Sequence, residues 1–201
     1  IELSELRPLV ACPHSPDNVV PASELTGVKV DQVCIGSCTN SSYRDLMKVA
    51  AILKGKKVNP NVSLTVSPGS RQVFAMLAEN GALADIINAG ARILECACGP
   101  CIGMGQSPKN NAVSVRTFNR NFYARSGTAS AGVYLVSPET AAYTALCGHI
   151  ADASEFPAFD VDMPDKFEVN DNLILNPEDF PDVTVQRGPN IKPFPLNVAL
   201  P

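Results

Sequence analysis

The sequence predicts an α/β domain of three layers, with a mostly parallel sheet covered by helices on both faces. Short runs rich in Val, Ile and Leu alternate along the chain with segments whose apolar residues recur at helical spacing. In addition, 45% of the 201 residues are apolar, which is enough to bury a substantial core. Strands that alternate with helices are joined by right-handed crossovers and form a mostly parallel sheet.

The order of the predicted elements divides the chain into three parts. Residues 1–27 contain four prolines and are predicted to be an extended lead-in. Residues 28–150 form the α/β domain, with predicted strands at 28–36, 62–66, 92–95, 112–117 and 133–136. Its predicted helices lie between Ser42 and Gly55 and at 71–80, 83–89 and 138–146. Residues 151–201, rich in Pro, Asp and Asn, are predicted to be an irregular extension and linker.

Composition excludes several classes of function. A net charge of -4 argues against a dominant nucleic-acid surface, and no apolar run is long enough to cross a membrane. The seven cysteines are clustered and do not resemble a disulfide framework, so we expect a reducing compartment: the cytoplasm, or the mitochondrial matrix of a eukaryote. The chain begins with Ile1, which suggests a piece of a longer polypeptide.

Three chemically interesting segments each follow a predicted strand. Cys38 comes after the first strand, Cys98 after the third, and the polar loop from Asn119 to Arg125 after the fourth. In a parallel sheet, ligands bind beyond the carboxyl ends of the strands. We therefore expect all three segments to lie at the same edge of the sheet.

The Cys98-Gly-Pro-Cys101 turn allows three chemical interpretations. The pair could be a redox couple, half of a zinc site, or two ligands of an iron-sulfur cluster. A structural zinc site needs four ligands, and Cys38 is the only clear partner. Three thiolates at one edge suit a four-iron cluster with one open iron, and we favour this interpretation over that of ordinary buried cysteines in a tight turn. The remaining cysteines are interpreted as core residues: Cys12, Cys34, Cys96 and Cys147.

The loop with Asn119, Arg120 and Arg125 indicates a carboxylate ligand. Arginine forks match carboxylates in bidentate geometry, so two arginines at the ligand edge suggest a di- or tricarboxylate substrate. The alternative is an exposed basic loop that forms surface ion pairs. Its position beside the thiol loops favours the substrate interpretation.

Three segments together resemble the signatures of the aconitase superfamily, in the family's order: 35–41, 98–103, and 118–122 with Arg125. The resemblance implies that Cys38, Cys98 and Cys101 hold a [4Fe-4S] cluster whose open iron acts as a Lewis acid on the substrate. It also implies that Asn119, Arg120 and Arg125 line the substrate site, and that the reaction is the isomerisation of citrate to isocitrate through cis-aconitate.

The resemblance also shows what this chain lacks. Family enzymes use His, Asp and Glu residues from preceding domains, and a serine base and a further arginine from a mobile domain that follows. The chain resembles the third, cluster-binding domain of such an enzyme, which we expect to need the remaining domains for activity. One alternative is a domain of an isopropylmalate isomerase or a homoaconitase, although the segment Arg125-Ser126-Gly127 resembles aconitase more than these two enzymes. The other alternative is a non-catalytic cluster-binding domain.

Overall fold

The computed structural model describes residues 2–167, 169–172, 174–184 and 186–192. The chain divides into two compact units, residues 1–167 and 168–201. The first unit holds every strand and α-helix of the described residues. In the described part of the second unit, the regular structure is a short 3-10 helix at Pro177–Asp179.

The first unit is built on a seven-stranded sheet of order β2-β1-β7-β6-β3-β4-β5. Neighbours from β7 to β5 are parallel, whereas β1 pairs antiparallel with both β2 and β7. The strands are β1 Leu9–Ala11, β2 Val19–Pro21, β3 Gln32–Gly36, β4 Ser63–Ser67, β5 Arg92–Ile93, β6 Val113–Arg116 and β7 Gly132–Leu135. The prediction of an α/β fold with a mostly parallel sheet is confirmed.

Four α-helices begin at side-chain or glycine caps. Their bounds are α1 Tyr43–Leu53, α2 Arg71–Glu79, α3 Ala82–Asn88 and α4 Pro138–Cys147. Ser42, Ser70 and Ser137 accept hydrogen bonds from the first turns of α1, α2 and α4. These bounds agree closely with the helices predicted from sequence, because serines and glycines mark the helix ends locally.

The two faces of the sheet differ in chemistry. Val33, Ile35 and Val115 point to one face and join Leu46 and Val49 of α1 in the buried apolar core. All four α-helices contact one another in series, so they form a single layer on this face. The opposite face presents buried polar side chains: Gln32, Thr65, Ser114 and Arg116.

That polar face is covered by the connection between β5 and β6. Arg116 donates hydrogen bonds to the carbonyls of Pro100 and Gln106, and Gln32 donates to the Gln106 carbonyl at 3.3 Å. The only helix in this covering segment is a 3-10 helix at Gly99–Ile102. The four α-helices lie on the other face, so the layer over the polar face is formed by the loop that carries two of the cysteines, with its short 3-10 helix.

Both predicted flanks contain more ordered structure than the sequence suggested. The lead-in of residues 1–27 includes the β1–β2 hairpin, which joins the sheet through Ala11 opposite Leu135. After residue 150, Phe156 stacks on Tyr143 at 3.7 Å, so residues 151–167 pack within the first unit. No helix in the described ranges has the length and apolar character needed to span a membrane.

Candidate functional site

Loops from the ends of β3, β4, β5 and β6 meet at the carboxyl edge of the sheet. The Gly36 amide donates to the Thr117 hydroxyl at 2.8 Å, which joins the end of β3 to the end of β6. The Gly69 amide donates to the Ser41 carbonyl at 3.2 Å, which joins the loops after β3 and β4. The loops that follow these strands are therefore hydrogen-bonded to one another at the edge where the sequence predicts the cysteines.

Cys38, Cys98 and Cys101 lie together at this edge. The Ser37 hydroxyl is 2.8 Å from the Cys101 sulfur, and Cys38 and Cys98 interact through their thiols. Cys38 and Cys98 are exposed, whereas Cys101 is half-buried. The structure thus brings one thiol from the β3 loop to two thiols from the β5–β6 connection.

The charges of the three thiols influence one another. Negative charge on Cys101 and Cys38 raises the pKa of the Cys98 thiol. Hydrogen bonds from the hydroxyls of Thr39 and Ser37 lower the pKa of Cys38. Negative charge on the neighbouring sulfurs therefore disfavours ionisation of Cys98, which interacts with both of the other thiols.

The thiols do not form a site for a single metal ion. Among the residues that the structure describes, no group of three or more His, Cys, Asp or Glu side chains is placed to hold one ion. A zinc site needs four ligand atoms at about 2.0–2.3 Å from one point. Within the described ranges, the donor set is thus one thiol from the β3 loop and two from the β5–β6 connection, with no fourth ligand placed among them.

Glycine permits the cysteine turn to contact the loop that follows β6. The 3-10 helix Gly99–Ile102 ends at Gly103, whose φ of +84° lies in the left-handed region. A Cβ atom on Gly103 would lie 2.2 Å from the Ser126 carbonyl oxygen. The turn with Cys98 and Cys101 consequently packs backbone to backbone against the loop with Arg125.

The predicted substrate residues lie on the loop that packs against the cysteine turn. Asn119 and Arg120 are exposed, and Arg125 is half-buried with its guanidinium carbon 5.4 Å from the centre of the Phe122 ring. Neither arginine forms an ion pair with a carboxylate in the described part of the chain. The alternative of a basic loop held in surface ion pairs thus finds no support in these contacts.

Sequence reasoning missed Arg116, which lies fully buried beneath the cysteine turn. Its guanidinium donates to Ser114 Oγ at 2.9 Å, Gln32 Oε1 at 3.0 Å and the Gln106 carbonyl at 2.9 Å, and also to the Pro100 carbonyl. The available signal was the alternation of Val and polar residues along 113–116, which marks one polar face of a strand.

A comparison with protein-family models matches residues 1–148 to the aconitase family (aconitate hydratase). The chain belongs to the aconitase family. The three segments that carry the resemblance all lie within the matched residues. Membership in the aconitase superfamily, predicted from those segments, is confirmed.

Several curated relatives of this aconitase-family chain are named 3-isopropylmalate dehydratase large subunits. A protein of Archaeoglobus fulgidus is 43% identical over 157 residues, which cover 78% of this chain and 38% of the relative. Proteins of Pyrococcus furiosus and Methanopyrus kandleri are each 46% identical, covering 76% of this chain and 40% and 37% of those relatives. The chain thus spans about two fifths of the length of these relatives.

The other cysteines of this aconitase-family chain differ in their surroundings. Cys34 is buried, as predicted, and burial raises the pKa of its thiol. Cys12 and Cys147 are half-buried. Cys96 is exposed, so its assignment to the core is wrong: β5 ends at Ile93, and residues beyond it no longer alternate between the two faces of the sheet.

Proposed function

We propose that this chain is the cluster-binding domain of an aconitase-family hydro-lyase that acts on 3-isopropylmalate. The observation that carries the proposal is that three thiols come together at one sheet edge and that the loop packed against them carries two arginines, which have no carboxylate partner among the described residues. Thiols suit an iron-sulfur cluster, and arginines suit the carboxylates of a small acid.

Cys38, Cys98 and Cys101 are the residues that would hold a [4Fe-4S] cluster. The fit rests on the chemistry of the donors: three neighbouring thiols whose negative charges oppose one another, with hydroxyls of Ser37 and Thr39 beside them. When bound, such a cluster supplies a Lewis acid that assists the departure of a substrate hydroxyl. Hydroxyl groups beside the sulfurs would further stabilise the thiolates.

Arg120 and Arg125 would bind the two carboxylates of the substrate. The Phe122 ring lies against the Arg125 guanidinium and would orient it, while Arg120 is exposed on the same loop. Asn119 adds an exposed amide that can donate to a hydroxyl or carboxylate oxygen. These side chains would hold the acid in one orientation with its hydroxyl towards the thiols.

The names of the relatives favour one of the candidate substrates. Sequence reasoning placed citrate first and isopropylmalate second, but the relatives described above are named 3-isopropylmalate dehydratases. Their names therefore favour the second reading, and citrate becomes the alternative. The words "large subunit" in those names further suggest a second subunit as a partner.

The remaining catalytic groups would come from outside this segment. The chain has only two histidines, and His149 faces the Ile150 carbonyl instead of the thiols. A proton donor and acceptor for dehydration would have to be brought to the edge by another domain or subunit. We therefore expect the isolated chain to bind a cluster and to catalyse poorly.

A substrate comparison on the complete enzyme that contains this chain tests the proposal. We expect kcat/KM for 3-isopropylmalate to exceed that for citrate by about 100-fold, since pockets for different side groups discriminate by this order. The Arg120→Lys variant should raise KM for the preferred acid by about ten-fold, because Lys cannot form the bidentate pair. Formation of the unsaturated acid, followed by its ultraviolet absorbance, is the measurement.

Two results would contradict the proposal in different ways. Preference for citrate would make the protein an aconitate hydratase. No turnover of either acid by the complete, iron-loaded enzyme would favour a non-catalytic cluster-binding protein.

A further inference from the structure

Arg116 is a buried cation with an unusual set of partners. Its side chain has no exposed surface, and it forms no ion pair with an acidic residue in the described ranges. A buried charge is costly unless its hydrogen bonds are satisfied. Arg116 meets this requirement with neutral acceptors alone: two side-chain oxygens and two backbone carbonyls.

The two carbonyls belong to the segment that carries the cysteines. Pro100 immediately precedes Cys101, and Gln106 lies at the end of the same segment. Gln32 strengthens the same attachment, because it accepts from Arg116 and donates to the Gln106 carbonyl at 3.3 Å. One guanidinium therefore joins both ends of the segment to strands β3 and β6.

We infer that Arg116 is a positioning residue, which holds the Cys98–Gln106 segment on the sheet and so fixes the direction of the Cys98 and Cys101 thiols. The guanidinium lies beneath the segment and is closed off from solvent, so it acts through the backbone. The link to cluster binding rests on the proposed function, whereas the effect on the segment does not.

Arginine is needed here because of its shape. A planar fork with five N–H donors can reach acceptors in several directions at once, whereas a lysine ammonium is a compact point charge. The Phe118 ring, 5.5 Å from the guanidinium carbon, packs against the same group. Arg116→Lys should therefore keep the charge but lose part of the attachment to Pro100 and Gln106.

Amide hydrogen exchange of the full chain without iron tests the inference directly. In Arg116→Lys we expect peptides covering residues 98–106 to exchange at least about ten-fold faster, because the segment opens locally when these contacts weaken. Val115→Ala is the matched control: it shortens a fully buried side chain of the same strand that points to the opposite, helix-covered face. Val115→Ala should lower the melting temperature of the protein. The ratio between the exchange rate of residues 98–106 and that of the rest of the sheet should stay the same as in the wild type.

A milder variant covers the case in which Arg116→Lys does not fold. Gln32→Leu keeps Arg116 but removes one of its acceptors and the second bond to Gln106. It should accelerate exchange in the same peptides by about three-fold. Equal exchange of residues 98–106 in the wild type and in whichever of these variants folds would overturn the inference, as would an equal acceleration in Val115→Ala.

A second readout separates this inference from the proposed function. After iron and sulfide are supplied, the half-life of bound iron during dilution should fall by about ten-fold in Arg116→Lys if the oriented thiols hold the cluster. Faster exchange in a protein whose wild type binds no iron would support the positioning role and reject the cluster. If the wild type binds iron but residues 98–106 of Arg116→Lys exchange at the wild-type rate, the positioning role is rejected and the proposed cluster is not.

Discussion

Gly103 lies where the cysteine turn touches the loop of Arg125. Its φ is +84°, and an added Cβ atom would lie 2.2 Å from the Ser126 carbonyl and 2.7 Å from the Ser107 hydroxyl. Gly105 offers a matched contrast, because its φ is also positive, at +67°, but no atom lies within 4 Å of its Cβ position. A substitution at Gly105 therefore tests backbone strain alone, whereas the same substitution at Gly103 adds steric overlap.

We predict that Gly103→Ala lowers the free energy of unfolding by about 3 kcal/mol or more, from strain and overlap together. Gly105→Ala should cost only about 1 kcal/mol, from strain alone. Urea denaturation followed by circular dichroism measures both values. Equal losses in the two variants would show that the contact between the turn and the Ser126 loop is not tight.

Among individual residues, the sequence predicts the cysteines and arginines at the sheet edge better than the buried residues that hold their loops in place. The cysteines and arginines could be placed because each follows a strand, and parallel strands share one carboxyl edge. Arg116 could not, because its role depends on a connection that folds back over the sheet from residues 94 to 112. Asn121 is similar: its amide donates to the carbonyls of Ala11, Cys12 and Val133, a set that no local pattern reveals.

At the scale of elements, the start of β3 is joined to β6 by Asp31. One Asp31 carboxylate oxygen accepts from the Val113 amide at 2.9 Å, and the other lies 2.6 Å from the Lys109 ammonium. The hydrogen bond from Lys109 and then that from Val113 lower the pKa of Asp31 below its ordinary value. Because the folded pKa is depressed, this contribution to stability is present above the unfolded pKa.

We predict that the contribution of Asp31 disappears as the pH falls through its folded pKa. Asp31→Asn should be less stable than the wild type near pH 7, by less than about 1 kcal/mol because the ion pair is partly exposed. The difference should shrink from about pH 4 downward, as the wild-type carboxyl gains its proton. Urea denaturation at several pH values measures it, and Lys109→Ala separates the ion pair from the Val113 bond. A difference that does not change with pH would contradict the prediction.

Helices and parallel strands were predictable, whereas the hairpin and the second covering layer were not. Serine caps and stopping glycines mark α1 and α4 in the local sequence. The three-residue strands β1 and β2 offer too few positions for an alternation, and the pairing of Ala11 with Leu135 joins distant parts of the chain. The helices share one face because the connection from β5 to β6 covers the other.

At the scale of the whole molecule, the candidate functional residues are gathered at one edge of the sheet. Three thiols come together at the carboxyl ends of parallel strands, the loop with the two arginines packs against the cysteine turn, and the matched segment covers about two fifths of the length of the family relatives. The sequence could indicate the family from three short segments. It placed citrate before 3-isopropylmalate, whereas the names of the relatives favour 3-isopropylmalate, because arginines and thiols indicate a carboxylate ligand without distinguishing the side group of the acid.

We propose that Cys38, Cys98 and Cys101 hold one iron-sulfur cluster. The most direct measurement is the iron and acid-labile sulfide content of the chain after anaerobic reconstitution, with Cys96→Ser as the matched control for loss of an exposed thiol. We predict about four irons and four sulfides per chain in the wild type and in Cys96→Ser, and almost none in Cys38→Ser, Cys98→Ser or Cys101→Ser. Full loading of all three of those variants, or a wild type that takes up one zinc and no sulfide, would contradict the claim.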